Sequence, residues 1–315
     1  MARSTLDSGA PDPRIYTSFA HLKGLQRQAR RLSFLPRQRS KSVLAGRHSS
    51  RIRGRGLNFE ELRDYRSGDD IRTIDWRVTA RTGKAHVRVY AEEKDRASHV
   101  IVDQRMSMFF GSTHNMKSVA ASEAATLCVY AILAKGDRVG AVVFNDSDVT
   151  SFKPGKSPAG TEQIIKCISD YNLRLNAQHL LPERSMSLNT PLQAAVEQVA
   201  RDQLVVIISD FDDVDQSTEQ YLGKLSQHND VVLVLVRDPL AKQLPKNVQV
   251  AVSDGQSQMT LDTGNDRVHD KLQRALADRV GQLEAWRQKL NLTIVELSTA
   301  DDTYEQIAQA LAIRG

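Results

Sequence analysis

The chain predicts an α/β protein built on a doubly wound, mostly parallel sheet, with an N-terminal basic arm and a small irregular elaboration in front of it. Two observations carry this. After about residue 97, short apolar segments take turns with longer helical ones, the order expected of a parallel sheet with helices on its faces. The short segments are β-branched and apolar throughout, as strands are when both faces are covered.

In chain order the strand segments are "HVIV" (99–102), "RVGAVVF" (138–144), "LVVIIS" (204–209), "VVLVLV" (231–236) and "LTIVEL" (292–297). Between the first two, "NMKSVAASEAATLCVYAILAKG" (115–136) places Met116, Val119, Ala120, Ala124, Leu127 and Ala131 near the spacing of an amphipathic helix and ends at Gly136, a natural stop. Further helices are predicted at about 158–170, 191–201, 217–228, 268–290 and 302–313. The stretch 54–96 mixes turn residues, short helical pieces and one alternating strand, "AHVRVYA". The predicted organisation is a partly disordered or helical basic arm over 1–53, a charged elaboration packed on the sheet over 54–97, and the α/β domain over 98–315.

With 315 residues, 40% of them hydrophobic, the chain has the material for an ordinary core. Its longest apolar run, Leu127 to Ala134, is eight residues, short of the ~18 that span a bilayer. A cytoplasmic location is expected. Cys128 and Cys167 sit in helix-like apolar patterns and read as buried reduced thiols.

The net charge of +5 is unevenly placed: residues 1–55 carry 13 Lys/Arg against Asp7 and Asp12. Clustered cations of this kind release counterions on meeting nucleic acid or another anionic surface. No zinc spacing, RNA-binding signature or aromatic series accompanies them, so the plainer expectation is an arm folded back on an acidic body, with nucleic acid a disfavoured partner.

Ligands of open α/β sheets bind beyond the carboxyl ends of the strands. Asp103 follows "HVIV" and Asp210 follows "LVVIIS", so parallel strands bring both to one edge; Thr190, before the helix leading into the Asp210 strand, is expected there too. Carboxylates and hydroxyls completed by water suit Mg²⁺.

Asp103, Ser107, Thr190 and Asp210 stand where the metal-ion-dependent adhesion site of von Willebrand factor A domains has its Asp-x-Ser-x-Ser, Thr and Asp elements, with Arg105 in place of the first Ser. "LNFEELRDYRSGDDIRTIDWRVTART" followed by a strand and "VDQRMSMFFGS", then "GDRVGAVVF", "NTPLQAAV" and "VVIISDFDD", closely resembles the bacterial domain-of-unknown-function family 58, whose members end in such an A-like, Rossmann-like domain. The resemblance implies an accessory protein working with a MoxR-type AAA+ ATPase on a client protein, and no defined enzymatic activity. Many longer members look membrane-anchored through N-terminal helices, where this chain has its basic arm.

Arg105 bears on the metal. A guanidinium ~5 Å from a divalent ion is repelled by roughly 6–7 kcal/mol at an effective dielectric of ~20. The expected use of Arg105 is to bridge Asp103 and Asp210 as a built-in cation, leaving the site metal-free or with weakly bound Mg²⁺.

Three other motifs carry less. The acids of "DFDDVD" (210–215) could form a metal-dependent hydrolase cluster, but a loop entering a helix tolerates solvated acids. "PGKS" (154–157) lacks the leading Gly of a phosphate-binding loop, position 150 being Thr150. No Gly-x-Ser-x-Gly or His/Cys cluster supports acyl-transfer or zinc chemistry.

In 54–81, arginines and acids interleave with apolar residues, so internal Arg–carboxylate pairs are expected. Arg63, Arg66, Asp69, Asp70, Arg72, Asp75 and Trp76, with Arg105 at the rim, are the candidate partner-binding residues. The function expected is a non-enzymatic interaction module, with an anionic-surface binder and a metal-dependent hydrolase as the alternatives.

Overall fold

The computed structural model describes residues 12–32, 57–92, 95–176, 186–241, 249–253, 258–262 and 266–312. They fall into two compact units, one drawn from Met1–Phe34 and Arg96–Gly315, the other from Leu35–Asp95.

In chain order the elements are α1 (Phe19–Gly24), α2 (Gln26–Ala29), β1 (Leu57–Asp64), α3 (Trp76–Thr82), β2 (His86–Glu92), β3 (Ala97–Asp103), α4 (Lys117–Ala134), β4 (Arg138–Phe144), β5 (Val149–Gly155) and α5 (Pro158–Leu173). They continue with α6 (Asn189–Gln198), β6 (Leu204–Ser209), α7 (Gln216–Ser226), β7 (Asp230–Arg237), β8 (Gln249–Ser253), β9 (Gln258–Asp262), α8 (Asp266–Leu290), β10 (Thr293–Ser298) and α9 (Thr303–Ala312).

The first unit holds a six-stranded sheet in the order β10-β7-β6-β3-β4-β5. Every pair is parallel except β4 with β5. Counted along the chain, the order is 3-2-1-4-5-6 when read from the β5 edge inward and outward again, so the winding reverses between β3 and β6. All five predicted strands are present. The sixth, β5, is an edge strand interrupted by Pro154, and its alternating half-exposed pattern hid it from a search for buried runs. The central strands are apolar because both faces are covered: Val100 to Val102 and Val205 to Ile208 are fully buried. Each such residue contributes about 1.5–3 kcal/mol of gross burial free energy.

α4 departs from the expected amphipathic helix. Ser118 to Ser122 and Ala124 to Ile132 are all buried, because α4 lies between the sheet and α1, α2, α5 and α9. Its 18 residues match a membrane span in length and composition, yet 78% of that window is buried inside the fold. Cys128, on this helix, is buried and its thiol is pushed up to about 12 by desolvation.

Residues 12–32 fold onto the first unit. Leu22 and Ala29 are fully buried, and the His21 ring contacts Glu123 at 2.7 Å while Lys23 reaches Glu162 at 2.6 Å. A buried polar chain anchors the segment: Asn172 accepts from the Thr17 amide at 2.7 Å and donates to Gln104 at 3.1 Å, and Gln104 in turn donates to Ser122 at 3.1 Å. The rest of the basic arm lies outside the described residues.

In the second unit β1 and β2 pair antiparallel. Only β2 was legible as a strand. A register shift between Phe59 and Glu61 interrupts the ladder, which breaks the period-two spacing by which a strand is recognised. Asp75 caps α3 by accepting from the Arg77 and Val78 amides, and Gly83 ends it in the left-handed conformation at φ 74°.

Candidate functional site

Asp103 is the last residue of β3 and Asp210 the first after β6. Because these strands are parallel neighbours with Val102 opposite Ile208, both carboxyls emerge at one edge, at the point where the winding reverses. Both are buried, Asp103 at 0% exposure and Asp210 at 4%.

Two internal cations meet them. Arg105 donates to Asp103 from Nε at 3.1 and 3.2 Å and from Nη2 at 2.8 Å, and its own amide donates to Asp103 at 3.0 Å. Ser209 adds a fifth bond to Asp103, at 2.7 Å. The other arm of the guanidinium donates to Asp213 at 2.9 Å and to the Met186 carbonyl at 3.2 Å, and the guanidinium carbon lies 5.5 Å from the centre of the Phe144 ring.

The expected bridge from Arg105 to Asp210 is therefore corrected: Arg105 joins Asp103 to Asp213. Asp210 has its own cation, Lys117, whose ammonium donates at 2.6 Å from the first turn of α4. The Asp210 carboxylate also accepts from Ser107 at 3.4 Å and from the Asp212 amide at 3.1 Å. Lys117 was missed in the sequence, although a lone lysine opening an apolar helix just after the motif loop was a usable signal.

Burial opposes the charge on Arg105, but Asp103, then Asp213 and Asp210, outweigh it and raise its pKa above the ordinary arginine range. Burial likewise opposes ionisation of Asp210, and Lys117 overcomes it, holding this carboxyl below the usual carboxylate range. For Asp213 the balance falls the other way: desolvation outweighs Arg105 and its pKa rises. Asp146, which accepts from the Met106 amide at 2.7 Å, is raised by desolvation as well.

The loop after β6 is held in a costly conformation. Phe211 and Asp213 have φ of 52° and 61°, in the left-handed region that side chains avoid at about 1–2 kcal/mol each. Ser209 holds the Phe211 amide at 2.9 Å, and the Phe211 ring is fully buried. Every acid of "DFDDVD" has a partner: Lys117 for Asp210, Arg279 for Asp212 and Arg105 for Asp213, while Asp215 caps α7 through a reciprocal capping box with Thr218. Asp215 is held low by the Thr218 amide. A further acid at this edge escaped the sequence reading. Asp238, after β7, accepts from the Ser112 amide and hydroxyl at 2.7 and 2.5 Å and from Thr299 at 2.7 Å.

Of the four predicted metal ligands, Asp103 and Asp210 end neighbouring parallel strands and Ser107 donates to Asp210. Thr190 lies in the first turn of α6, and among the described residues no hydrogen bond links its hydroxyl to Asp103 or Asp210. The donor set does not fit a divalent ion as it stands, since each central carboxylate already holds a side-chain cation within 2.8 Å. Among the described residues no group of three or more His, Cys, Asp or Glu is placed to hold a metal. Ser157, from the rejected "PGKS", is the N-cap of α5.

The remaining candidates divide by environment. Arg105 has 5% of its side chain exposed, so it shapes the rim from within and offers no outward contact. In the second unit Arg63 forks onto both oxygens of Asp69 at 2.7 Å each, and Arg88 holds Asp75 at 2.6 Å. Asp69 is held down at about 2 by Arg63 and by the Arg66 amide. Arg66, Arg72 and Trp76 are exposed.

The first unit is thus a mixed α/β domain with a mostly parallel six-stranded sheet flanked by helices, compatible with a Rossmann-like fold. Residues 61–281 match the family described as Protein of unknown function DUF58, and the chain belongs to that family. It is similar to uncharacterized proteins of Mycobacterium bovis and Mycobacterium tuberculosis, each 27% identical over 290 residues that make up 90% of this chain and 88% of the relative. The crystal structure of an uncharacterized membrane-spanning protein from Vibrio fischeri matches 70% of this chain and 98% of its own, at 14% identity and a TM-score of 0.21; a likeness of that size carries no argument.

Proposed function

We propose that this protein is a non-enzymatic interaction module of the von Willebrand factor A-like kind, acting in the cytoplasm as an accessory or adaptor to a MoxR-type AAA+ ATPase that remodels or matures client proteins. One observation supports the non-enzymatic part of this reading, the ATPase partner resting on the family resemblance: Asp103 and Asp210, the two acids at the switch point, are buried and paired with Arg105 and Lys117. A general acid or base needs a pKa near the working pH and reach to its substrate. A fully buried Asp103 and an Asp210 held low are poorly suited to both. An edge locked in this way favours a rigid binding surface over a reaction centre, and the partnered acids of the 210–215 loop weigh against the hydrolase alternative.

Affinity capture from the native cell, with and without ATP, tests the proposal. Nucleotide-dependent recovery of a MoxR-type ATPase is expected. Its absence under both conditions, or hydrolytic turnover that stops in Asp103→Ala, overturns it.

A further inference from the structure

The second unit distributes its charges unevenly between inside and outside. Among the described side chains, its aspartates have partners: Asp69 with Arg63, Asp75 with Arg88, Asp64 with the His86 ring at 3.2 Å, and Asp70 with the Arg72 amide at 2.9 Å. Its outer cations do not. Arg66, Arg72, Arg77, Arg81 and Lys84 are exposed, and among the described residues none of them forms an ion pair. Two large apolar side chains stand among them, Ile71 at 64% exposure on a one-turn 3₁₀ helix and Trp76 at 68% at the start of α3.

Helical spacing orders this face. Trp76 and Ala80 are four residues apart and form one row along α3, and Arg77 and Arg81 form the adjacent row. Val78 and Thr79, in the same helix, are half-buried, so the aromatic and arginine rows make up its outer side. Tryptophan and arginine are the side chains that most often dominate binding energy at protein interfaces, one through area and the other through charge-assisted bonds.

We infer that the face formed by Ile71, Arg72, Trp76, Arg77, Ala80 and Arg81 is a docking surface for an acidic segment of a partner protein that carries aliphatic side chains. The inference rests on the interaction-module reading and names the surface and the partner chemistry for it. Charge complementarity selects this occupant: the charged side chains exposed on this face, Arg72, Arg77 and Arg81, are all cationic, and they flank an apolar strip that only aliphatic or aromatic side chains would cover. A phosphate polymer fits less well. Trp76 is the one exposed large aromatic residue among the described residues of this unit, too few for stacking along a strand. A lipid surface fits poorly too, since α3 has only seven residues.

The chain provides its own probe. It has two tryptophans, and Trp286 is buried at 4% exposure, so quenchable, red-shifted emission reports Trp76. The full chain is titrated with a synthetic peptide of alternating Glu and Leu, with the same peptide carrying Lys for Glu, with a single-stranded oligonucleotide, and with anionic vesicles. The Glu/Leu peptide is expected to shift Trp76 emission to the blue and protect it from acrylamide, less so at high salt. The double variant Arg77→Glu, Arg81→Glu is expected to weaken that binding at least tenfold with unchanged melting.

Equal binding of the Lys peptide, a shift with oligonucleotide or vesicles but not with the Glu/Leu peptide, or Trp76 already protected in the free protein each overturns the inference. Repeating the nucleotide-dependent capture with Trp76→Ala separates the two proposals. Undiminished recovery of the ATPase by this variant removes the docking face and leaves the adaptor reading standing, whereas failure of the unaltered chain to recover it removes the adaptor reading.

Discussion

The guanidinium of Arg105 reaches both carboxylate oxygens of Asp103, its Nη2 at 2.8 Å and its Nε at 3.1 and 3.2 Å, in a setting where the acid is fully buried and only 5% of the arginine side chain is exposed. Both oxygens of Asp103 are thus engaged by an internal cation. Substituting Arg105→Ser removes one partner of a buried ion pair and is expected to destabilise the fold by about 3–5 kcal/mol. It also restores the Asp-x-Ser-x-Ser spacing. Calorimetric titration with Mg²⁺ and Mn²⁺ is expected to show no micromolar binding by the unaltered chain and measurable binding once both Arg105→Ser and Lys117→Ser are present. Micromolar binding by the unaltered chain contradicts the cation-lock.

The Lys117–Asp210 pair predicts the direction of a pH dependence. Asp210 is depressed in the folded protein, so its contribution is present above the unfolded carboxylate value, ~3.9, and is lost as pH falls through the lower folded one. In Lys117→Met, burial is opposed by fewer favourable groups and the Asp210 pKa rises. That variant is expected to lose about 3–5 kcal/mol at pH 7 and to recover part of it on acidification towards pH ~5, whereas the unaltered protein does not gain. Urea unfolding at pH 7, 5 and 3.5 measures both curves; parallel curves count against the assignment.

Within the second unit, Arg63 and Arg72 are predicted to behave differently. Arg63 forks onto Asp69, so Arg63→Glu sets like charges against each other and is expected to lower the melting temperature of this unit. Arg72→Glu, at an exposed position, is expected to leave melting unchanged and to weaken binding of the acidic peptide. Circular dichroism melts of the two variants, run beside the peptide titration, decide the matter.

Asn172 ties residues 12–32 to the core through Thr17 and Gln104. Asn172→Ala leaves both buried partners without it, at a cost of about 1–3 kcal/mol for each stranded group. The expected readout is local: faster proteolytic cleavage around Tyr16 to Leu22 than in the unaltered chain. A protease pattern unchanged by the substitution means that the segment's other contacts, buried Leu22 and Ala29 and the His21–Glu123 and Lys23–Glu162 pairs among them, hold it without Asn172.

Gly140 predicts a steric limit between β4 and the edge strand β5. A Cβ there would lie 2.5 Å from the Phe152 carbonyl oxygen and 2.9 Å from the Pro154 nitrogen, beside a register shift in the ladder. Gly140→Ala is expected to cost about 1–3 kcal/mol, measured by urea unfolding. No loss of stability means that β5 moves away freely.

The layered architecture was readable in advance because burial on both faces imposes unbroken apolar strands, and that constraint acts on each strand separately. Asp103 and Asp210 could be placed at one edge for the same reason: parallel strands put their carboxyl ends together whatever fills the loops. Elements answering to a weaker constraint were hidden. β5, at the sheet edge, and β1, with its shifted register, carry no such pattern, and Ser118 to Ile132 read as one-sided although α4 is enclosed by the sheet and four helices.

Which cation meets which acid depended on three-dimensional closure. Lys117 precedes Asp210 by 93 residues, Arg105 precedes Asp213 by 108, and no local propensity links such positions. A pairing of this kind is set by the geometry at which the helix start and the strand ends converge, with Phe211 in its strained conformation aiming the loop. Patterning along the chain reports what each segment buries; the partner of a buried charge is settled only when the packed layers fix the distances over which electrostatic attraction can act.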